Sequence, residues 1–579
     1  MYTDTYRNTF VVDALERLRL VKVAHNYSPQ PSQQESDKLP SDSQKSQLDL
    51  ENGELPFDSQ KSQLDLENGE LPFDSQKSQL DLEKAGSDRA SQELARQDVS
   101  VSAAASSEAP DPFLVDWNGP NDPEHPLNWS KGKKGFVVLQ IMILTCVTYM
   151  GASIYTPGQE YIQQEFGVGH VVGTLNLSMY VLGYGLGPMI FSPLSEVASV
   201  GRQNIYMITL FFFMIFQVGA ATVHNIGGLI VIRFISGVLC SPPLATGAGS
   251  MGDFIQPQLV PIFIGLWAVG AVAAPVMAPL LGAAMTVAED WRFIFWLLMW
   301  LAAATFILLA LFFPETQHNN ILHRRAARIR AETGDSRYYT KQQRIDAEIH
   351  IKDFVVDILY RPFAIIIQEP IVLAFDAYIA LCYGAFYLFF EAFPIVFVGI
   401  YNFTLVEVGL AYLGFCVGCV IAYIVLLIFL AKVIAPKFQN NTFVPESFLL
   451  LAMGVCWSLP LSLFLFGWGA GTHWIVPIIA QIFFVLCVFN LFQATFAYLA
   501  ICYPRYMASV FAGNGFMRAV FACAFPLFGQ AMYNNLGSEK YPVGWGSSLI
   551  GFFCIALAAI PFVFYKYGPQ LRGKSSYAN

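Results

Sequence analysis

Charge is scarce in this chain. Asp, Glu, Lys and Arg make up 13% of its 579 residues, against 55% hydrophobic. The chain has no GxxxxGK[ST] phosphate loop, which argues against an ATP-driven pump. It also lacks a nucleophile motif and any metal-spaced His/Cys cluster, so an enzyme reading has no support. All ten cysteines, from Cys146 to Cys554, lie in or beside apolar stretches. Cys416 and Cys419 form a CxxC inside one of them, read as packing rather than as redox or metal chemistry. No cleavable signal peptide opens the chain, so the first apolar span is expected to act as its own insertion signal.

The charge that exists is unevenly placed. Residues 1–130 hold 24 acidic and 11 basic side chains, a balance of −13, whereas residues 131–579 hold 19 acidic and 23 basic, a balance of +4. The overall −9 therefore belongs to a solvated acidic arm and does not point to nucleic acid. Within that arm DSQKSQLDLENGELPF runs from Asp42 to Phe57, recurs from Asp58 to Phe73 and begins a third time at Asp74. Its polarity and its Pro56 and Pro72 predict a disordered spacer, with repeats over 42–84. Val11, Val12, Leu15 and Leu18 beside Arg17, Arg19 and Lys22 suit a short amphipathic helix near the start of the chain.

What is abundant is hydrocarbon. Between Phe136 and Tyr565 about twelve apolar stretches, each of roughly 18–25 residues, match the ~20 residues a bilayer-crossing helix needs. They split six and six around a basic insert, Pro314 to Phe363. The expected organisation is an all-α membrane protein: a cytoplasmic tail over 1–130, six-helix bundles over 131–313 and 364–566, a central loop over 314–363 and a C-terminus over 567–579. Lys and Arg cluster on one side of the spans, which predicts that both termini and the central loop are cytoplasmic. Two joined six-helix sets are the layout of a secondary transporter with repeated halves.

Charged groups inside spans cost about 2.5–3.5 kcal/mol each on insertion scales, so each one needs a reason. Arg233 lies in the fourth span, Asp376 in the seventh (expected over 365–389) and Arg518 in the eleventh. Asp376 and Arg518 have opposite signs and similar expected depth, which suggests a pair whose separation would change the carboxylate's proton affinity. Asp253 lies near the base of the fourth span, and Glu391 closes the seventh. In the fifth span Gly270, Ala274, Ala278 and Gly282 recur every four residues with Pro275 and Pro279 set among them: a bent, closely packing helix suited to a pivot or leak barrier between halves. Tyr378, Tyr383 and Tyr387 are candidates to line a cavity for apolar or cationic small molecules, with Glu391 at its edge.

Several segments resemble the fungal branch of the major facilitator superfamily, in its twelve-helix drug:proton antiporter family. They are LVDWNGPNDPEHPLNWS, YVLGYGLGPMIFSPLSEVASVGRQ, IRFISGVLCSPPLATGAGSMGD, PETQHNNILHRRAARIRAETGD, FEAFP, ASVFAGNGFMRA and KYGPQLR. The spacing of SEVASVGRQ and the N-terminal YRNTFVVDALERL look most like azole and benomyl resistance exporters. The resemblance implies a major facilitator fold, proton-coupled export of varied apolar compounds, no cofactor beyond the proton gradient, a plasma-membrane location and a monomer. It puts Arg233 in the place of the family's proton-coupling arginine, and Glu196, Gly201, Arg202 and Asp253 in the gate. The family's fifth-helix motif usually pairs glycine with proline, whereas here Ala274 and Ala278 precede the prolines. The rival readings are a dedicated carrier of a polyamine or secondary metabolite, and a non-transporting sensor on the same fold.

Overall fold

The structure is a computed structural model that describes residues 9–17, 111–348, 360–575 and 577–578. The predicted disordered stretch and its repeats over 42–84 lie outside the described residues. Of one unit, 27–114, only a short turn is described, in which Asp111 Oδ1 accepts the Phe113 N–H at 3.0 Å. The other unit contains everything that follows.

Twelve of its helices are long and apolar enough to cross a membrane: α1 Lys131–Phe166, α2 His170–Glu196, α3 Gly201–Thr222, α4 Ile226–Phe254, α5 Val260–Ala288, α6 Arg292–Phe312, α7 Pro370–Val398, α8 Leu405–Gln439, α9 Pro445–Gly469, α10 Ile475–Cys502, α11 Pro504–Leu536 and α12 Gly544–Arg572. Twelve alternating spans put the start of α1, the end of α6, the start of α7 and the end of α12 at one end of the bundle, here called the base. The other end is called the rim.

Local chemistry sets the helix ends. Ser130 caps α1 by accepting the Lys133 N–H, and Asn225 caps α4 by accepting from Gly228. Thr404 and Glu407 form a reciprocal capping box at the start of α8. Prolines shape the interiors. Pro279 has no N–H to give the Pro275 carbonyl one turn earlier, and that freed carbonyl accepts the Ser153 hydroxyl of α1 at 2.6 Å. The proline thus exchanges a bond inside α5 for a tie to α1.

The small-residue strip of α5 faces the same neighbour. A methyl on Gly270 would press on Met142, and one on Gly282 would strike the Ile154 carbonyl. Ala274 and Ala278 are fully buried between these points. The strip therefore packs within the first half. Helix α5 meets the second half on another face, where Gly265 lies against Tyr423 and Leu426, Leu280 against Gly409, and the Tyr423 hydroxyl donates to the Ile262 carbonyl at 3.1 Å.

Two parts of the expected free tail are folded. The helix Phe10–Arg17 docks by Phe10 and Val11 on the core, a Thr9–Pro314 bridge and an Asp13–Arg324 ion pair. Residues 115–130 pack on the central-loop helix His318–Thr333. There Asp122 and Glu124 hold Arg325 at 2.9 and 2.8 Å, all three nearly or wholly buried. Burial alone would lower the pKa of Arg325, but the two carboxylates hold it above its ordinary value. Acidic side chains that read as solvated tail in the sequence are thus counter-ions to the basic central loop.

Candidate functional site: a polar column between the two halves

Residues 376, 383, 387 and 391 are spaced by seven, four and four. At 100° per residue they fall within roughly 80° of one another on α7. This stripe faces the first half and α11, and builds three layers.

At the rim, Glu391 Oε2 lies 3.1 Å from His170 Nε2 of α2, and Thr174 Oγ1 donates to Glu391 Oε1 at 3.4 Å. Gln159 of α1 donates to Thr174 at 3.0 Å. In the middle, the Tyr184 hydroxyl of α2 lies 2.8 Å from that of Tyr383 and 3.1 Å from that of Tyr387. Tyr149 of α1 meets Tyr184 edge-on, with ring centroids 5.6 Å apart. The Arg518 guanidinium of α11 sits 5.4 Å from the Tyr383 ring centroid. Toward the base, Asp376 is fully buried, and its Oδ1 accepts from Asn514 Nδ2 at 2.7 Å while Oδ2 has no partner. Beside the column Ser178 of α2 donates to the Cys523 carbonyl of α11 at 2.8 Å.

Two sequence expectations are corrected here. Asp376 and Arg518 do not form an ion pair. A break at Glu369 starts α7 at Pro370, so Asp376 is only its seventh residue and lies level with Asn514, one turn below Arg518 on α11. Tyr378 does not join Tyr383 and Tyr387. It lies about 200° around the helix from Asp376, fully buried among Cys382, Cys487 and Cys554. Tyr149, Tyr184, His170 and Asn514 were missed. Tyr184 sat in plain view in YVLGYGLGP, but its partner helix is not adjacent in the chain.

Arg233 stands apart from the column. Its side chain is 1% exposed. Nε donates to the Asn176 carbonyl at 3.1 Å, one terminal nitrogen to Gly151 at 2.7 Å and the other to Ala152 at 3.1 Å. The Tyr180 ring covers it, 4.4 Å away. The guanidinium thus clamps α1 and α2 to α4 through main-chain oxygens and cation–π contact. Close passage of α2 and α4 allows this: a methyl on Gly183 would strike the Phe234 carbonyl, and one on Gly237 the Tyr180 carbonyl.

The base cluster belongs to the first half. Arg202 Nε meets Asp253 Oδ2 at 2.8 Å, and a terminal nitrogen reaches Oδ1 at 3.3 Å. Glu196 does not bond Arg202. Its carbonyl accepts from Gln317 at 2.6 Å, and its side chain is exposed in a cleft shared with Arg202, Asp253 and His318. The organising carboxylate is Glu315, which the sequence reading passed over. It is fully buried, accepts the main-chain N–H groups of Arg202 and Gln203 at 3.2 Å each, and bonds Arg324 at 3.3 Å. These are the free donors at the N-terminus of α3, where a negative charge is favoured. Gly201 is required at the entry: its φ is +74°, and a methyl there would run into Glu315 and Asn320.

A family model described as Major Facilitator Superfamily matches residues 141–526. The chain belongs to this superfamily. It is accordingly a membrane transporter and not an enzyme. It is 62% identical over 577 residues to Fluconazole resistance protein 1 of Saccharomyces cerevisiae, covering 100% of this chain and 99% of that one. Multidrug transporter FLR2 of Candida glabrata is 63% identical over 481 residues, 83% of this chain and 82% of its own length. Among solved superfamily structures, a partially occluded inward-open form of the xylose transporter XylE from E. coli overlays with a TM-score of 0.50. It is 13% identical and covers 76% of this chain and 98% of that one, a likeness of fold alone.

Proposed function

We propose that the chain is a proton-coupled multidrug exporter that moves apolar small molecules such as azoles outward by alternating access. The observation that carries this is the column itself, built by α2, α7 and α11 from both halves, in a chain so similar to a protein named for fluconazole resistance. A polar and aromatic column at the junction of repeated halves is where transporters of this construction hold substrate and coupling ion. Lys131, Lys133, Lys134, Arg324, Arg325 and Lys566 at the base, against Arg292 and Lys540 at the rim, support a cytoplasmic base, and the similarity to drug-resistance transporters supports a place in the plasma membrane. The protein acts as a monomer with no cofactor beyond the proton gradient.

Asp376 is the proton carrier of this scheme. It is a buried carboxyl with one oxygen unengaged, and parting of the halves that lets water reach that oxygen would favour its charged form and release the proton. Arg233 holds the first half in shape while this happens. Glu391 with His170 closes the rim between the halves, and Arg202 with Asp253 braces the base of the first half. The α5–α8 contact, with its close approaches at Gly265 and Gly409, is the surface on which the halves roll.

The test is fluconazole accumulation in yeast cells stripped of their own drug exporters and expressing the full chain. Accumulation should fall at least threefold against empty-vector cells and return when a protonophore collapses the gradient. Unchanged accumulation at verified surface expression would overturn the proposal.

A further inference from the structure

The middle layer contains a cation, Arg518, with no carboxylate in contact with it among the described residues. Arg518 forms no ion pair among the described residues, and its Nε is buried without a hydrogen-bond partner. Of the nearest carboxylates along the column, Glu391 is held by His170 and Thr174, and Asp376, one turn toward the base, is held by Asn514 through one oxygen and acts on Arg518 only at a distance. A half-buried guanidinium with one buried, open donor calls for an acceptor.

There is room for one. Gly515, three residues before Arg518 on α11, is buried, yet a methyl group there would meet no atom within 4 Å. An open space of at least methyl size therefore lies on α11 about one turn toward the base from Arg518. Tyr383 stands over the guanidinium, and Phe492 continues the aromatic wall with its ring centroid 6.3 Å from that of Tyr383.

We propose that Arg518 sets the charge preference of this site: it accepts aromatic molecules that present a hydrogen-bond acceptor or a negative group to the guanidinium, and rejects permanent cations. The inference rests on the export reading above. The open donor rewards an azole nitrogen, a carbonyl or a carboxylate, and the rings stack on the aromatic body. A permanent cation would meet like charge in a site shielded from water, so exclusion of the wrong ligand adds to attraction of the right one.

Two xanthene dyes of similar size separate the signs: fluorescein, an anion loaded as its diacetate, and rhodamine 6G, a cation. Efflux of each is measured in exporter-stripped yeast expressing the full chain, with labelled fluconazole as a neutral, acceptor-bearing reference. The wild type should export fluconazole and fluorescein at least fivefold faster than vector cells and leave rhodamine 6G unchanged. At equal surface expression, Arg518→Gln should lose the fluorescein preference, Arg518→Glu should export rhodamine 6G instead, and Gly515→Leu should slow fluconazole and fluorescein together. Rhodamine 6G efflux equal to or faster than fluorescein efflux in the wild type, with fluconazole exported, overturns the inference while sparing the export reading; this comparison needs no variant to fold. An Arg518→Gln protein with the wild-type dye ratio overturns it as well. No export of fluconazole overturns the export reading and this inference together.

Discussion

Arg233 shows how much one side chain can do without a carboxylate partner. Its three bonded nitrogens point at carbonyls on two other helices, and no ammonium could reach all three in that planar arrangement. Arg233→Lys should therefore lose two charge-assisted bonds, worth about 3 kcal/mol or more together, and leave carbonyls in the first half unanswered. Thermal unfolding of the purified variant in detergent should show a clear drop in Tm, with transport impaired at matched expression. A Lys variant with wild-type Tm would contradict the clamp. At this scale the sequence marked the right residues more often than the right partners. Rarity inside apolar spans flagged Arg233, Asp376 and Arg518. Partner choice depended on the helix start at Pro370, and a shift of one turn replaced Arg518 with Asn514. Tyr378 was misplaced for a simpler reason: its spacing from Asp376 puts it on the far face of α7.

At the scale of elements, hydropathy alone located the twelve spans, because lipid offers backbone groups no partner and only complete helices satisfy them. The strip on α5 was equally legible, but not its neighbour, since a run of small residues specifies close packing without saying against what. The segment before α1 was the least legible, because its acidic residues find their counter-ions some 200 residues later in the chain. That segment also carries a pH dependence. The His125 ring lies tilted against that of His318 with ring centroids 4.7 Å apart, and its Nδ1 accepts the Leu127 N–H. Burial first, then the charge of His318, lower its pKa below the ordinary 6.5, with Asp122 pulling the other way. The docked form thus prefers neutral imidazole. Its stability is full above about pH 6.5 and is lost as pH falls from there toward the lower docked value. Hydrogen exchange of residues 115–130 in the purified protein should be faster at pH 5.5 than at pH 7.5 after correction for intrinsic rates, and His125→Gln should flatten that difference. Equal corrected rates in the wild type would contradict it.

At the scale of the whole molecule, the described residues bring the two halves together through hydroxyls, one carboxylate–imidazole contact and close helix approaches at Gly185–Ala519, Gly265–Leu426 and Leu280–Gly409. Such a contact is polar enough to part. The Arg202–Asp253 pair and the Arg233 clamp stay within the first half, Glu315 ties the start of the central loop to it, and together they keep it rigid while it moves. Function then depends on whether drug and proton use the one column in opposite directions. The direct measurement places the purified chain in proteoliposomes with an acidic interior and a trapped pH dye, and adds fluconazole outside. Proton loss from the interior should accelerate with fluconazole. Asp376→Asn should abolish that acceleration while still exchanging labelled for unlabelled fluconazole. Proton flux indifferent to the drug, or full coupling in Asp376→Asn, would contradict the account.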